Sequence, residues 1–174
     1  MKYLLFVFII TLSTCKSADT SNMLTYMSEK TMQTDDCKEG GTCKVEIFKN
    51  KDYTIEKDGI GKIYPKIVAG ENIVVKYTYK MGNPNNYADG GESETLHFII
   101  TKEMEKELQN SDLQKIKLVY GKNCFCRDIQ GFYKVEQGNF TLKSSKKSSD
   151  ITIEFTIPKI AKRQMIKKVH FTLE

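Results

Sequence analysis

Ile73-Val-Val-Lys-Tyr-Thr-Tyr-Lys80 (IVVKYTYK) places Val75, Tyr77 and Tyr79 on one face of an extended chain, because successive side chains of a strand point to opposite sides. Its β-branched and aromatic residues suit a half-buried pleated surface. The same period of two recurs in Cys43–Lys49 (CKVEIFK), Thr95–Thr101 (TLHFIIT), Ile151–Ile157 (ITIEFTI) and Val169–Glu174. In TLHFIIT, His97 and Ile99 share one face and Leu96, Phe98 and Ile100 the other. Short alternating segments separated by turn residues predict an all-β fold, an antiparallel β-sandwich of immunoglobulin-like or related type.

Working outward, Cys37-Lys-Glu-Gly-Gly-Thr-Cys43 is a Gly-Gly turn between two cysteines, and Asn50-Lys-Asp52 is expected to turn CKVEIFK into a second strand, Tyr53–Lys57. Asp58-Gly-Ile-Gly61 breaks that strand, and the piece KIYPKIVAGEN before Ile73 is less regular. Lys102–Gln109 (KEMEKELQ) switches to good helix formers with Met104 and Leu108 four apart, which predicts one short helix near 102–109. Lys115–Tyr120 returns to strand. Phe132–Glu136 and Asn139–Lys143, joined by Gln137-Gly138, read as a hairpin, and Ser144–Ser149 as a hydrophilic loop tip.

The N-terminal end sets the compartment. Met1–Cys15 (MKYLLFVFIITLSTC) opens with Lys2, continues through an unbroken apolar run from Tyr3 to Leu12, and ends Leu12-Ser-Thr-Cys15. The run has the length of a secretory h-region and is too short to span a bilayer. Leu-Ser-Thr-Cys resembles the lipobox of bacterial lipoproteins, which implies lipidation of Cys15, although Thr14 stands where that motif has Gly or Ala. Residues 1–14 are therefore expected to be a lipoprotein signal peptide, residues 15–36 the lipidated cysteine with a flexible polar tether, and residues 37–174 one sandwich domain. Cleavage after Ser17, releasing a soluble secreted protein, and a buried core strand are the alternatives.

Removing Met1–Thr14 leaves 160 residues, enough for one domain with a real core. The formal charge of +5 falls to +4 when Lys2 is lost, 26 basic against 22 acidic residues. A charge that small and dispersed gives no argument for nucleic acid as a partner.

Four cysteines remain after Cys15: Cys37, Cys43, Cys124 and Cys126. An even number in an exported chain points to disulfides, with three connectivities open. Cys37 with Cys43 is locally easy. Cys124 with Cys126 is harder if the two sit i, i+2 on a strand, so cross-links between the two segments are a serious alternative. Zinc knuckles need two to four intervening residues on both sides, and the spacings here are five and one. A redox pair would require an activated thiol, and only Arg127 adjoins Cys126 to supply that.

Other chemistry is thinly marked. His97 and His170 are the only imidazoles, neither beside a serine, cysteine or carboxylate motif, so no catalytic residue is assigned. No phosphate-binding glycine loop is present, and no cofactor is implied. Met23, Met27 and Met32 lack the histidine or cysteine company of a soft-metal site. Met81–Ser93 (MGNPNNYADGGES) is a turn-rich loop carrying Tyr87, Asp89 and Glu92 as a candidate binding loop. With Glu94, its oxygens lack the ligand ladder of a calcium loop, so no metal is assigned. Asn139-Phe-Thr141 fits a glycosylation acceptor that a bacterial lipoprotein would normally leave unused. Lys159–Lys168 (KIAKRQMIKK) has five basic residues and no acid, and reads as a solvated edge or connection, with headgroups or acidic glycan as the alternative contact.

Asp36-Cys37, Cys43–Lys51 (CKVEIFKNK), Cys124-Phe-Cys-Arg127 and Gly131–Val135 (GFYKV) together resemble segments of small exported lipoproteins of the Bacteroidota. That resemblance implies export, an outer-membrane lipid anchor and an all-β domain, and it carries no functional residue. Surface-exposed members of that group often have an acidic run after the lipidated cysteine; Lys16–Thr20 (KSADT) has none, which favours the periplasmic face. The expected function is a non-enzymatic binding or structural accessory role in the cell envelope, with an envelope protein or glycan as partner. The alternatives are an envelope thiol-redox protein or hydrolase, and a protein-binding inhibitor or adhesin-like module.

Overall fold

The computed structural model describes residues 31–33, 37–82, 91–145 and 147–173. Among the described residues, ten strands form two antiparallel sheets. The larger has the order β1 (Thr31–Gln33), β2 (Gly41–Lys57), β3 (Ile63–Met81), β4 (Ser93–Ile100), β6 (Val119–Asn123), β7 (Gly131–Lys134). In the smaller, β10 (Lys168–Leu173), β9 (Ser149–Phe155) and β8 (Gly138–Ser144) are followed at the edge by β5 (Glu107–Gln109). The sandwich expected from the alternating segments is what forms.

Alternation decides the packing. Val75, Tyr77 and Tyr79 join Val45, Ile47, Leu96, Phe98, Ile100, Leu118 and Tyr120 on the inner face of the larger sheet. Phe140, Leu142, Ile151, Ile153, Phe155, Val169, Phe171 and Leu173 meet them from the smaller one. Phe98 contacts Phe140 edge-on at 5.9 Å between centroids and tilts against Phe171 at 6.4 Å, which ties the two sheets through one ring.

A second, smaller cluster lies on the outer face of the larger sheet. There Val74, Ile99 and Val119 are covered by Tyr53, with Phe48, Ile55 and Phe132 around them. The cover comes from the β2–β3 hairpin itself. Near Lys49–Lys51 the register slips, Lys51 facing both Asn72 and Ala69, and Asn50 adopts φ 52°. Such a bulge bends a strand and reverses which parity faces the core. Cys43, Val45 and Ile47 point into the main core, whereas Tyr53 and Ile55, also odd-numbered, point into the second cluster. Gly70 is needed at this bend, because a Cβ there would come within 2.7 Å of the Asp52 side chain. The distal half of the hairpin thus forms an arm folded back over its own sheet.

Several sequence expectations are corrected. Asn50–Asp52 is a bulge inside one 17-residue strand, and KIYPKIVAGEN belongs to β3; the actual turn is at Asp58–Lys62, where the Asp58 carboxylate accepts the N–H groups of Ile60 and Lys62. The helix expected at 102–109 does not form. Glu107–Gln109 pairs with Asn139–Thr141, and the helical segment, a 3-10 turn, follows at Asn110–Ile116. Eight residues are too few for a helix to sustain itself on propensity, so sheet pairing prevails while Met104 and Leu108 are still buried. The strand expected from Lys115 begins only at Val119. Phe132–Glu136 and Asn139–Lys143 are not a hairpin: β7 pairs β6 and β8 pairs β9, so Gln137-Gly138 lies on a crossover between sheets. The larger sheet also takes in Thr31–Gln33, upstream of Cys37, by pairing with Lys44–Glu46.

Candidate functional site

One end of the sandwich concentrates the polar and covalent features. A row of cross-strand partners, Cys43–Tyr79–Glu94–Lys122, crosses β2, β3, β4 and β6 there. Glu94 shares parity with Leu96, Phe98 and Ile100, and Lys122 with Leu118 and Tyr120, so both charged side chains point inward. Glu94 is 0% exposed and the Lys122 side chain 1%. Lys122 Nζ lies 3.0 Å from Glu94 Oε1 and 2.9 Å from Glu92 Oε2. Glu94 also accepts the backbone N–H groups of Met165 at 2.8 Å and Ile166 at 2.7 Å.

Three donors on one buried carboxylate answer its loss of water, which an isolated charge could not survive. Because residues 165 and 166 lead into β10, Glu94 is a polar staple from the larger sheet to the smaller. The Tyr120 hydroxyl is buried beside it without a hydrogen bond of good geometry; burial first and the Glu94 charge second raise that phenol's pKa.

Next to the staple is a cleft of about 350 Å³ lined by Cys37, Lys38, Tyr77, Met165, Ile166, Lys167 and Lys168. Lys38 Nζ donates to the Met165 carbonyl at 3.3 Å, and Lys168 pairs with Glu154 at 2.7 Å. Pro158–Ile160 form a short 3-10 turn, and Gln164 closes the connection by accepting Ile157 N–H and donating to the carbonyls of Phe155 and Ile166. The segment expected to be a solvated connection is therefore pinned at Gln164, while Lys159, Lys162, Arg163, Lys167 and Lys168 stay exposed.

Both cysteine pairs sit at this end. Cys37 and Cys43 are bridged, with Cα atoms 5.6 Å apart. Cys124 and Cys126 are also at bridging distance, Cα to Cα 5.2 Å. The strand geometry that argued against the second bridge is absent, since β6 ends at Asn123 and the chain bends at Cys124. Cross-links between the segments do not form. Cys43 and the Lys122 position are separated by three strand spacings, about 14 Å, beyond the reach of a disulfide. Phe125, between the paired sulfurs, is 90% exposed.

Of the candidate binding loop, Tyr87 and Asp89 lie outside the described residues, as does the lipidation candidate Cys15. Glu92 is described, and Lys122 engages it. Glu94, counted with the loop oxygens in the sequence, is instead core. Its partner Lys122 went unmarked in the sequence; a lysine at an inward strand position opposite an inward glutamate was the available signal.

The imidazoles lie elsewhere. His97 is 6% exposed on the outer face of the larger sheet, between the rings of Tyr53 and Phe132, and its Nδ1 has no hydrogen-bond partner. Burial, then the nearby Lys76 charge, push its pKa down to about 4 against a weaker opposing pull from Glu46. Tyr53 above it donates to the carbonyls of His97 and Lys117. Lys117 Nζ meets Asp52 Oδ1 at 2.7 Å, holding that carboxyl below the usual range even though burial opposes the shift. This arrangement fastens the arm and offers no nucleophile to the imidazole. His170 is on β10, in the smaller sheet. Among the described residues, no group of three or more His, Cys, Asp or Glu side chains converges as a metal site would require.

No family model, curated protein or solved structure matches the chain.

Proposed function

We propose that this chain is an exported, lipid-anchored protein of the cell envelope whose sandwich domain has a non-enzymatic binding or structural accessory role. The observation that carries the reading is the cysteine arrangement. Cys37 with Cys43 and Cys124 with Cys126 stand at bridging distance, an economy of thiols that suits an oxidising compartment. The sequence MKYLLFVFIITLSTC supplies the address: an h-region to bring the chain there, and Cys15 to receive the lipid. In this reading the outer membrane holds the anchor, the domain faces the periplasm, and the partner is an envelope protein or glycan.

The interior supports a scaffold role. Its charges hold parts together: the buried pair Glu94 and Lys122 joins the sheets, and the partly exposed pair Asp52 and Lys117 fastens the arm. The test is the intact mass of protein extracted from native membranes, with free thiols alkylated before any reduction. A chain that starts at Cys15, carries acyl mass and has no alkylated cysteine is the expected result. A chain starting at Ala18 without lipid refutes the anchor, and alkylation at Cys124 and Cys126 replaces the bridge with a thiol-redox role.

A further inference from the structure

The end of the sandwich that carries the cysteine pairs gathers two kinds of exposed group. The first is basic. Lys38, Arg127, Lys159, Lys162, Arg163 and Lys167 are exposed, and among the described residues no carboxylate forms an ion pair with any of them. Lys168, beside them, is engaged by Glu154. The exposed carboxylates Glu39 and Asp128, with Asp58 at the tip of the β2–β3 arm, are the opposing charges there, and Glu92 and Glu94 are taken up by Lys122.

The second kind is apolar. Phe125 is 90% exposed and Ile60 79%. Ile60 occupies the tip of the arm, which is held beside the β6–β7 connection by Lys62 Nζ donating to the Gln130 carbonyl at 3.5 Å. Phe125 protrudes from that same connection, fixed between the half-buried Cys126 and the buried Cys124. Protruding large apolar side chains beside cations are the composition of a surface that sits in a bilayer interface, rings at the acyl boundary and amines among the phosphates.

We propose that this end docks flat on an anionic phospholipid surface, with Lys38, Lys162 and Lys167 at the headgroups and Phe125 entering the interface. The proposal rests on the lipid-anchored reading, which supplies the membrane. The length of the chain allows it: Thr31 enters the larger sheet at β1, and the 16 positions from Cys15 to Thr31 can span at most about 55 Å. That bound lets the basic end reach the surface that holds the anchor. It also accounts for a connection that is pinned underneath by Gln164 yet carries five exposed cations and no acid.

The experiment uses the full chain extracted from membranes and reconstituted into two vesicle types, phosphatidylcholine alone and phosphatidylcholine with about 30% phosphatidylglycerol. Flotation reports anchoring, and amine acylation read by mass spectrometry reports docking. Expected is flotation with both vesicles, with acylation at Lys38, Lys162 and Lys167 about five-fold lower on the anionic ones. Lys102 and Lys106, beyond the opposite end of β4, remain equally reactive on both. About 0.5 M salt, which shortens the screening length to about 4 Å, restores the reactivity.

The paired substitution K162E/K167E should erase the difference at Lys38, and Phe125→Ala should shrink it, with the urea midpoint unchanged because all three side chains are exposed. Flotation with both vesicles and equal acylation overturns the docking while leaving the anchor standing. Failure to float with either overturns the anchor and the docking together. Protection by free glycerol phosphate without vesicles, equal to that on anionic ones, also overturns the membrane as occupant and assigns the cations to a soluble phosphate.

Discussion

Replacing His97 by phenylalanine should flatten the acid side of the stability profile. In the folded protein the imidazole is buried between Tyr53 and Phe132, with its pKa pushed down to about 4. In the unfolded chain it returns to about 6.5. A base whose folded pKa is depressed binds its proton more readily when unfolded, so acid favours unfolding. The contribution is therefore intact above about pH 6.5 and is lost progressively as pH falls towards 4. The full difference of 2.5 units corresponds to about 3 kcal/mol, and about 2 kcal/mol of it is lost between pH 7.5 and pH 5.0. Phenylalanine keeps the aromatic contacts and removes the unpartnered Nδ1, so at pH 7.5 the variant should be as stable as the parent or about 1 kcal/mol more so. Urea denaturation at the two pH values measures the effect. The parent should lose about 1 M more in midpoint than His97→Phe, given an m-value near 2 kcal/mol/M. Equal losses in the two proteins would refute the assignment of a buried neutral imidazole.

Other substitutions test the remaining contacts. Glu94→Gln leaves Lys122 buried against Glu92 alone and should destabilise by about 3 kcal/mol or more; adding Lys122→Met should recover part of that, and amide exchange at Met165 and Ile166 should quicken in the single variant. Tyr53→Phe leaves the buried His97 carbonyl and the partly buried Lys117 carbonyl short of a donor, a loss of about 1–2 kcal/mol, which limited proteolysis should register as faster cutting at Asp58–Lys62. Gly121→Ala places a Cβ within 2.6 Å of the Phe132 ring and of Thr95 Oγ1. It should destabilise by about 1–3 kcal/mol, with loss of amide protection concentrated in β7.

The sandwich was readable because its central strands are half-buried antiparallel segments, the case in which burial prints a period of two on the sequence. IVVKYTYK, TLHFIIT and ITIEFTI each report which residues face the core. KEMEKELQ misled because helix propensity is a weak local preference, and the competing interaction, pairing with Asn139–Thr141, lies some thirty residues away. Asn50-Lys-Asp52 has the composition of a turn, but a bulge draws on the same residues, and only the contact of Tyr53 with Val74, Ile99 and Val119 selects it. Gln137-Gly138 behaved likewise: a turn pair in sequence, a crossover in space. The candidate end was partly visible through its cysteines and its basic run. Their convergence was not, since it depends on the strand order that sets Cys43, Glu94 and Lys122 in one row.

The join between β1 and the Cys37–Cys43 bridge bears on how the domain would carry a mechanical load. Tension applied at Thr31 meets three residue pairs that hold β1 to β2. Once these are peeled away, the pull meets Cys37, and the covalent link passes it directly into Cys43 on β2, bypassing the Gly-Gly turn. From there it spreads into β3, whose pairing with β2 runs along the whole of both strands. A few weak pairs thus act as a fuse ahead of a strong coupling, so that a pull applied at Thr31 would strip one short strand while the sandwich behind it stays folded.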